Sequence, residues 1–302
     1  MSTSHEQKNS EHCKDGASNN TNTSNNTSRI DDAIWDSIGN LDISNIDDDD
    51  KLFADPPPKE DCEICMLPLP FSNDGAVRGL GTTYQPCCGK TLCCGCMFAA
   101  NKEMNEGNIK RLCPFCGIPL SRTAKEDVKR TKKRIKLNDH EALRILGCSY
   151  RSGQLGLEKN WTKALELWKK SAELGSIRAH DHLAMAYCSG RGVEQDMNKA
   201  IHHWKLAAIG GHETARHCLG AMEADNGISN GNMNRAMKHF MIAAKSGFDK
   251  SLKEVGEGYK AGHVTKDDYA STLRAYQNII NAMKSEERTE AVSITNRLMA
   301  RK

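Results

Sequence analysis

The chain has 302 residues, of which 38% are hydrophobic, 27% are charged and only 5% are aromatic. Its formal net charge of +3 is uneven, since residues 1–61 hold 14 acidic and five basic side chains and so carry −9, leaving +12 on residues 62–302. With a mean hydropathy of −0.62, this composition argues against one enzyme core spanning the chain and favours modest folded regions with disordered segments.

Thirteen cysteines are many for such a chain. The first ten residues (MSTSHEQKNS) lack the basic and apolar regions of a secretory signal, so we expect a cytoplasmic and/or nuclear protein. Disulfides rarely persist in those reducing compartments, and clustered cysteines there indicate metal ligands. Every apolar run is far shorter than the ~20 residues of a membrane span, so no membrane partner is expected.

Residues 1–58 are predicted to be a disordered acidic and polar tail. The tract 18–28 (SNNTNTSNNTS) cannot bury enough apolar surface to fold. An apolar group with helical spacing interrupts the tail, between residues 34 and 41. It is either part of a solvated tail or a short helix that folds on a partner. Three prolines, at 56–58, then form a stiff spacer.

Nine cysteines lie between residues 62 and 116. Eight of them form four pairs: Cys62 and Cys65, Cys87 and Cys88, Cys93 and Cys96, Cys113 and Cys116. Pairs with such spacing can bind tetrahedral Zn²⁺ through thiolates, and four pairs supply two closed sites with no open position for water. We therefore predict two structural Zn²⁺ ions. The spacing alone does not define which pairs share a metal.

The order of these pairs resembles the RING finger, here in an all-cysteine version because no histidine occurs between His12 and His140. The resemblance implies a small α+β module over residues 59–121 in which the first and third pairs hold one zinc and the second and fourth pairs hold the other. Cys87 and Cys88 are adjacent, so both can face one metal only from a turn. Cys94 is the alternative ligand if one of them does not bind.

RING fingers bind a ubiquitin-charged conjugating enzyme (E2), and the resemblance implies an E2-binding role for Ile64 and for Pro114 of the Cys-Pro-x-Cys loop. The chain departs from the family pattern at Ala100, where many active members have a large aromatic residue, and at Gly117, where many have a basic one. Such a ligase acts by positioning, so the resemblance implies no catalytic residue in this chain.

Residues 122–140 are predicted to form a basic linker helix. The run Lys129 to Lys136 (KRTKKRIK) is typical of the solvated face of such a helix. It could instead be a nuclear-import signal or contact RNA phosphates.

A repeat of 36 residues follows. It is visible in three series: Trp168, Trp204, Phe240 and Tyr276; Gly175, Gly211 and Gly247; Ala164, Ala200 and Ala236. A second helix precedes each aromatic one, with its own apolar face at spacing i, i+4, i+8. The aromatic residues are predicted to be core.

This pattern resembles the Sel1-like repeat, a relative of the tetratricopeptide repeat, most fully in residues 189–208 (SGRGVEQDMNKAIHHWKLAA). The resemblance implies an all-α solenoid of four helix pairs over residues 141–284 that binds a protein substrate or adaptor, followed by a C-terminal tail over 285–302. The third repeat departs, with Glu223 in place of tyrosine and Asn226 at the loop-glycine position, and is expected to be looser.

Several solenoid side chains are candidates for other roles. The histidines at 180, 182, 202, 203, 212 and 217 could suggest a metal cluster, but they are spread over three helices and are expected at the surface. Cys148, Cys188 and Cys218 are expected to be small buried thiols.

These features favour a RING-type E3 ubiquitin ligase whose solenoid holds its substrate. The alternative is a non-catalytic zinc-binding adaptor for protein or RNA, which Ala100 and Gly117 favour. A luminal degradation adaptor is disfavoured because no secretory signal is recognised.

Overall fold

A computed structural model describes residues 49–70, 81–106, 111–230 and 233–299. Residues 1–48 of the tail predicted for 1–58, including the apolar group at 34–41, lie outside the described residues. The elements in chain order are α1 (Asp49–Leu52), β1 (Thr82–Gln85), β2 (Lys90–Cys93), α2 (Cys94–Glu106), α3 (Ala124–Ile135), α4 (His140–Ser152), α5 (Trp161–Glu173), α6 (Ile177–Ser189), α7 (Met197–Ile209), α8 (Glu213–Asn230), α9 (Met233–Lys245), α10 (Asp249–Lys260), α11 (Lys266–Ala282) and α12 (Glu286–Met299).

The cysteine-rich region, residues 59–121, is built around a short hairpin. Strands β1 and β2 pair antiparallel, with Thr82 opposite Cys93 and Gln85 opposite Lys90. Gly89 lies in the turn between them with φ +78°, a conformation that glycine adopts without strain. Helix α2 follows β2 directly, so the hairpin and the helix together position four of the predicted ligands, Cys87, Cys88, Cys93 and Cys96.

The solenoid comprises helices α4–α11, arranged as four consecutive pairs. Its helix ends follow from local chemistry. Asn160, Ser176 and Asp196 each accept a hydrogen bond from a backbone N–H of the first turn that follows. Gly153 and Gly190 end α4 and α6 in the left-handed conformation. The predicted helical solenoid is confirmed.

The repeated aromatic residues pack against small residues of the preceding helix. Trp168 is 1% exposed, and a Cβ added to Gly147 would lie 2.5 Å from its Nε1 atom. Likewise, a Cβ added to Gly220 would lie 2.7 Å from Cε1 of Phe240. Glycine in the first helix of a pair therefore makes room for the aromatic ring of the second. Tyr276 differs, since it is only half-buried in the last of the four described pairs.

The third pair differs at its loop. Helix α8 continues to Asn230 and has 18 residues, whereas α4 and α6 have 13 each. Asn226 stands where other repeats place the loop glycine, so no left-handed glycine ends the helix there. The helix therefore extends into what is a loop in the other pairs.

Both predicted tails contain ordered structure. Residues 49–58 were expected to be disordered, yet Leu52 is 1% exposed within the solenoid core cluster. Residues 285–302 were expected to be a tail, yet 286–299 form α12, which packs against α2. Both segments bury side chains against surfaces that are distant in sequence, which composition and local periodicity do not reveal.

The predicted linker helix is present as α3. Hydrogen bonds connect its C-terminal end to the hairpin and to the start of α4. Tyr84 Oη donates to Asp139 Oδ2 at 2.8 Å, and Arg134 Nε donates to the same oxygen at 2.9 Å. Burial and the adjacent Asp139 carboxylate raise the pKa of Tyr84. The hairpin, the linker helix and the start of α4 therefore meet at one ionic hydrogen-bonded cluster.

Helices long and apolar enough to cross a bilayer do not occur in the part of the chain that the structure describes.

Candidate metal centres

The first and third cysteine pairs form one group. All four Sγ atoms of Cys62, Cys65, Cys93 and Cys96 lie within 4.8 Å of one another. The Sγ atoms of Cys62 and Cys96 are 3.8 Å apart, as are those of Cys65 and Cys93. Cys62 and Cys93 are fully buried. The first group thus has the membership that the family resemblance implied.

The second and fourth pairs form the other group. The Sγ atoms of Cys87, Cys88, Cys113 and Cys116 also lie within 4.8 Å of one another. Cys88 and Cys113 are 4.0 Å apart between Sγ atoms, and Cys87 and Cys116 are 3.5 Å apart. Adjacent Cys87 and Cys88 face one centre because they lie in the hairpin turn. Cys94 is in neither group; its backbone N–H donates to the carbonyl of Gly81.

Two similar turns present the first and fourth pairs. Cys62 N–H donates to Leu67 O at 2.9 Å, and Met66 N–H donates to Cys62 O at 2.8 Å. In the other turn, Cys113 N–H donates to Ile118 O at 2.7 Å, and Gly117 N–H donates to Cys113 O at 2.8 Å. Met66 and Gly117 occupy equivalent left-handed positions, with φ +54° and +69°. Gly117 therefore allows the left-handed conformation of this turn. Its departure from the RING family pattern did not suggest that role.

The sulfur positions fit a tetrahedral metal. A tetrahedral thiolate site with metal–sulfur bonds of ~2.3 Å has sulfur–sulfur edges of about 3.8 Å. The four distances given above, 3.5 to 4.0 Å, are close to that edge. All cysteines among the described residues are free thiols. Each group could therefore hold one metal ion.

The pKa values of the thiols differ within each group. Burial disfavours the Cys62 thiolate, but backbone N–H groups led by that of Cys93 outweigh it and lower the pKa of Cys62 to about 7. Burial and the nearby Cys93 thiol raise the pKa of Cys96, and burial raises that of Cys88 to about 11. Four thiols in one group cannot all ionise next to each other unless a metal offsets their charge.

Arg288 of α12 supports the first group and was not found from sequence. Its side chain is 5% exposed, and its Nη2 donates to Cys65 Sγ at 3.3 Å. Its Nη1 donates to Pro68 O at 2.7 Å and to Met283 O at 2.8 Å. A Cβ on Gly95 would lie 2.7 Å from the Arg288 backbone nitrogen. Glycine at 95 thus permits the close approach that brings a cation to the thiolates, and this partner is 223 residues from Cys65.

We expect Arg288→Ala to detach α12 from the cysteine-rich region and to weaken metal binding about 10- to 100-fold, because hydrogen bonds to metal ligands tune their affinity. Amide hydrogen exchange over 286–299 measures the first effect, and competition with a metallochromic chelator measures the second. Arg297→Ala is the matched control, since that arginine bonds only to Ser293 in α12 among the contacts seen. Equal behaviour of the two variants would contradict a supporting role for Arg288.

The two predicted E2-binding residues lie on the two similar turns. Ile64 is 40% exposed and Pro114 is partly buried. Lys90 lies between the turns, where its Nζ contacts Glu63 Oε1 at 2.6 Å and stands 5.5 Å from the ring centre of Phe115. The turns thus present exposed apolar side chains on either side of one lysine.

The solenoid histidines correct an expectation. Three of those expected at the surface are buried: His180, His182 and His203 are 0%, 5% and 5% exposed. His180 Nδ1 and His203 Nδ1 are 3.0 Å apart, and burial lowers the pKa of His180 to about 4. His180 and His203 are therefore buried as neutral partners of one another, whereas His182 Nε2 lies 3.2 Å from Arg144 Nη1. Among the described residues the histidines form no metal-binding group.

The solenoid cysteines were expected to be small buried thiols. Cys188 and Cys218 are buried as predicted, whereas Cys148 is half-buried with its Sγ 3.3 Å from His182 Nε2.

Comparison with known proteins identifies the repeats. Residues 140–176 and 177–212 match the Sel1 repeat family. These ranges are the first two helix pairs, so the predicted Sel1 repeats are confirmed. No curated protein sequence is significantly similar to the chain.

Several solved structures are similar to the chain, including the following two. One is a Sel1 repeat protein from Oxalobacter formigenes, with 20% identity, a TM-score of 0.47, and coverage of 67% of this chain and 86% of that one. The other is a protective antigen of uropathogenic Escherichia coli that displays an SLR fold, with 27% identity, a TM-score of 0.43, and coverage of 52% of this chain. This chain spans 33% of that antigen's length.

Proposed function

We propose that the protein is an interaction adaptor, in which a cysteine-rich region organised by two structural Zn²⁺ ions is fixed to a Sel1-repeat solenoid that binds a protein partner. The observation that carries the proposal is the solenoid itself, whose first two helix pairs match the Sel1 repeat family. Stacked repeats of this kind build extended surfaces on which partners bind.

The contacts between the two parts support an adaptor that holds both in one frame. The Tyr84–Asp139–Arg134 cluster joins the hairpin to the first solenoid helix. Arg288 joins the C-terminal helix to the turn at Cys65. A partner bound to the solenoid would therefore keep a defined position relative to the two metal centres. The free thiols and the thiolate donor sets are consistent with a zinc protein of the cytoplasm or nucleus.

A second candidate function is that of a RING-type E3 ubiquitin ligase. The alternating order of the pairs in the two groups favours it, as does the exposure of Ile64 and Phe115, which are 40% and 42% exposed. In that case the turns at Ile64 and Pro114 would bind a charged E2, and the solenoid would hold the substrate. The rate gain would come from positioning the thioester and the acceptor lysine.

Ubiquitin discharge distinguishes the two candidates. We expect the zinc-loaded full-length chain to leave a panel of ubiquitin-charged E2 enzymes undischarged, as an adaptor should. A ligase would instead discharge at least one E2. Ile64→Ala would then abolish that discharge without changing the zinc content. Leu137→Ala is the control, since Leu137 is 68% exposed and lies outside both turns. Discharge that is sensitive to Ile64 but not to Leu137 would replace the adaptor proposal by the ligase.

The adaptor proposal also needs a partner. Proximity labelling in cells, followed by titration of each purified candidate against the full-length chain, should identify a protein that binds the solenoid and tolerates Ile64→Ala. If no purified candidate binds the full-length chain, the adaptor proposal is contradicted.

A further inference from the structure

A short segment of the chain itself lies on the solenoid. Helix α1 and Phe53 contact a pocket between α7, α8 and α9. Leu52 is 1% exposed and belongs to the hydrophobic cluster that includes Trp204, Ala208 and Leu219. Residues 54–58 (ADPPP) then lead to the cysteine-rich region. The pocket is therefore occupied by five residues that precede a stiff proline spacer.

The pocket binds the main chain of this segment through one buried cation. Arg216 is 2% exposed, and its Nη1 donates to Leu52 O at 2.6 Å while its Nη2 donates to Ala208 O at 2.7 Å. Burial lowers the pKa of Arg216 to about 10. A buried guanidinium needs hydrogen-bond partners, and here one of them is a carbonyl of the bound segment. Arg216 thus binds the main chain of the segment at Leu52 and also a carbonyl of the solenoid core.

The rim of the pocket recognises an aromatic ring and a carboxylate. The Phe53 ring is 4.7 Å from the His239 ring between centroids. The Arg235 guanidinium and the Lys238 Nζ stand 5.0 Å and 5.3 Å from the centre of the same ring, at cation–π distance. Arg235 also forms an ion pair with Asp49. Positive charge on α9 therefore faces an acidic and aromatic ligand.

We propose that this pocket is a binding site for an acidic peptide of a partner protein that carries adjacent leucine and phenylalanine, and that residues 49–53 are its tethered competitor. The inference deepens the adaptor proposal and rests on it. An amphipathic turn with two apolar anchors in a groove is a recurring mode of peptide recognition. The bound residues are Asp49-Asp50-Lys51-Leu52-Phe53, and two further aspartates precede them in the sequence.

Tethering sets the size of the expected effect. A segment on a short linker competes at an effective concentration on the order of 1 mM. If the free segment binds the vacated pocket with a dissociation constant of about 10 to 100 µM, the tethered copy should weaken an added peptide about 10- to 100-fold.

The test uses a fluorescent peptide of residues 49–58 (DDKLFADPPP) and the zinc-loaded full-length chain. Fluorescence anisotropy should show at least about tenfold tighter binding to the double variant Leu52→Ala, Phe53→Ala than to the wild type. A peptide with alanine at both positions should not bind either chain. Equal affinity for the two chains, or absence of binding to both, overturns the proposal.

A charge exchange supplies an independent control. Arg235→Glu in the vacated chain should weaken the wild-type peptide, and a peptide with Asp49→Arg should regain affinity for it. Failure of the exchange overturns the assigned polarity of the pocket.

A third measurement needs no variant. Excess wild-type peptide should displace the tethered segment of the wild-type chain and speed chymotrypsin cleavage after Phe53, whereas the alanine peptide should not. An unchanged cleavage rate contradicts the proposal even if the double variant fails to fold. If a purified partner still binds the chain while these tests fail, the adaptor proposal stands and the pocket proposal falls.

Discussion

Cys113→Ser is expected to reduce the metal content of the purified chain from two ions to one and to unfold the turn at 111–120. Among the described residues, the apolar cluster of the cysteine-rich region has four fully buried members, two of which are cysteines. So small a core cannot balance chain entropy. Structural Zn²⁺ can contribute about 10 to 16 kcal/mol of apparent binding free energy to folding, and three thiolates should retain little of it.

Elemental analysis and amide hydrogen exchange measure these two effects. Cys94→Ser is the matched control, because Cys94 adjoins Cys93 in sequence yet belongs to neither group of four. The Cys94→Ser chain should keep two metal ions and show the same amide hydrogen exchange as the wild type. Two ions in Cys113→Ser, or a loss in Cys94→Ser equal to that in Cys113→Ser, would show that the ligands are assigned wrongly.

Trp168→Ala is expected to lower the free energy of unfolding of the solenoid by about 3 to 5 kcal/mol, the usual cost of truncating a buried large aromatic residue. Trp168 is 1% exposed, and its Nε1 donates to Arg144 O at 3.3 Å. The substitution therefore leaves both a cavity against Gly147 and a carbonyl without its donor.

Urea unfolding followed by circular dichroism, with zinc present, measures the loss. Tyr276→Ala is the control, since Tyr276 holds the same position in the repeat but is only half-buried. We expect it to cost clearly less. Equal losses at the two positions would mean that the repeat position, and not its burial, determines the contribution.

The repeat could be predicted because its information is local. A helix pair needs an apolar face at regular spacing and a loop glycine, so the period of 36 residues was visible without any tertiary contact. The same holds for the candidate metal ligands, since the closely spaced cysteine pairs are visible in the sequence itself. The membership of the two groups came from a family resemblance, because spacing leaves the pairing open.

Errors arose where burial depends on distant surfaces. His180 and His203 were expected at the surface because the six histidines are spread over three helices, but both side chains are buried. Hydrophobicity predicts the buried face of a helix only where the side chains are clearly apolar or clearly polar. A buried imidazole that pairs with another has no such signature.

The sequence by itself determined the helical repeats, the helix ends and the thiols available to two candidate metal centres, because spacing and side-chain chemistry act over a few residues. Only the tertiary structure decided that Leu52 lies in a solenoid pocket and that Arg288 reaches Cys65. These contacts join segments 160 or more residues apart. Their free energy depends on the shape and charge of surfaces that exist only after the solenoid has formed.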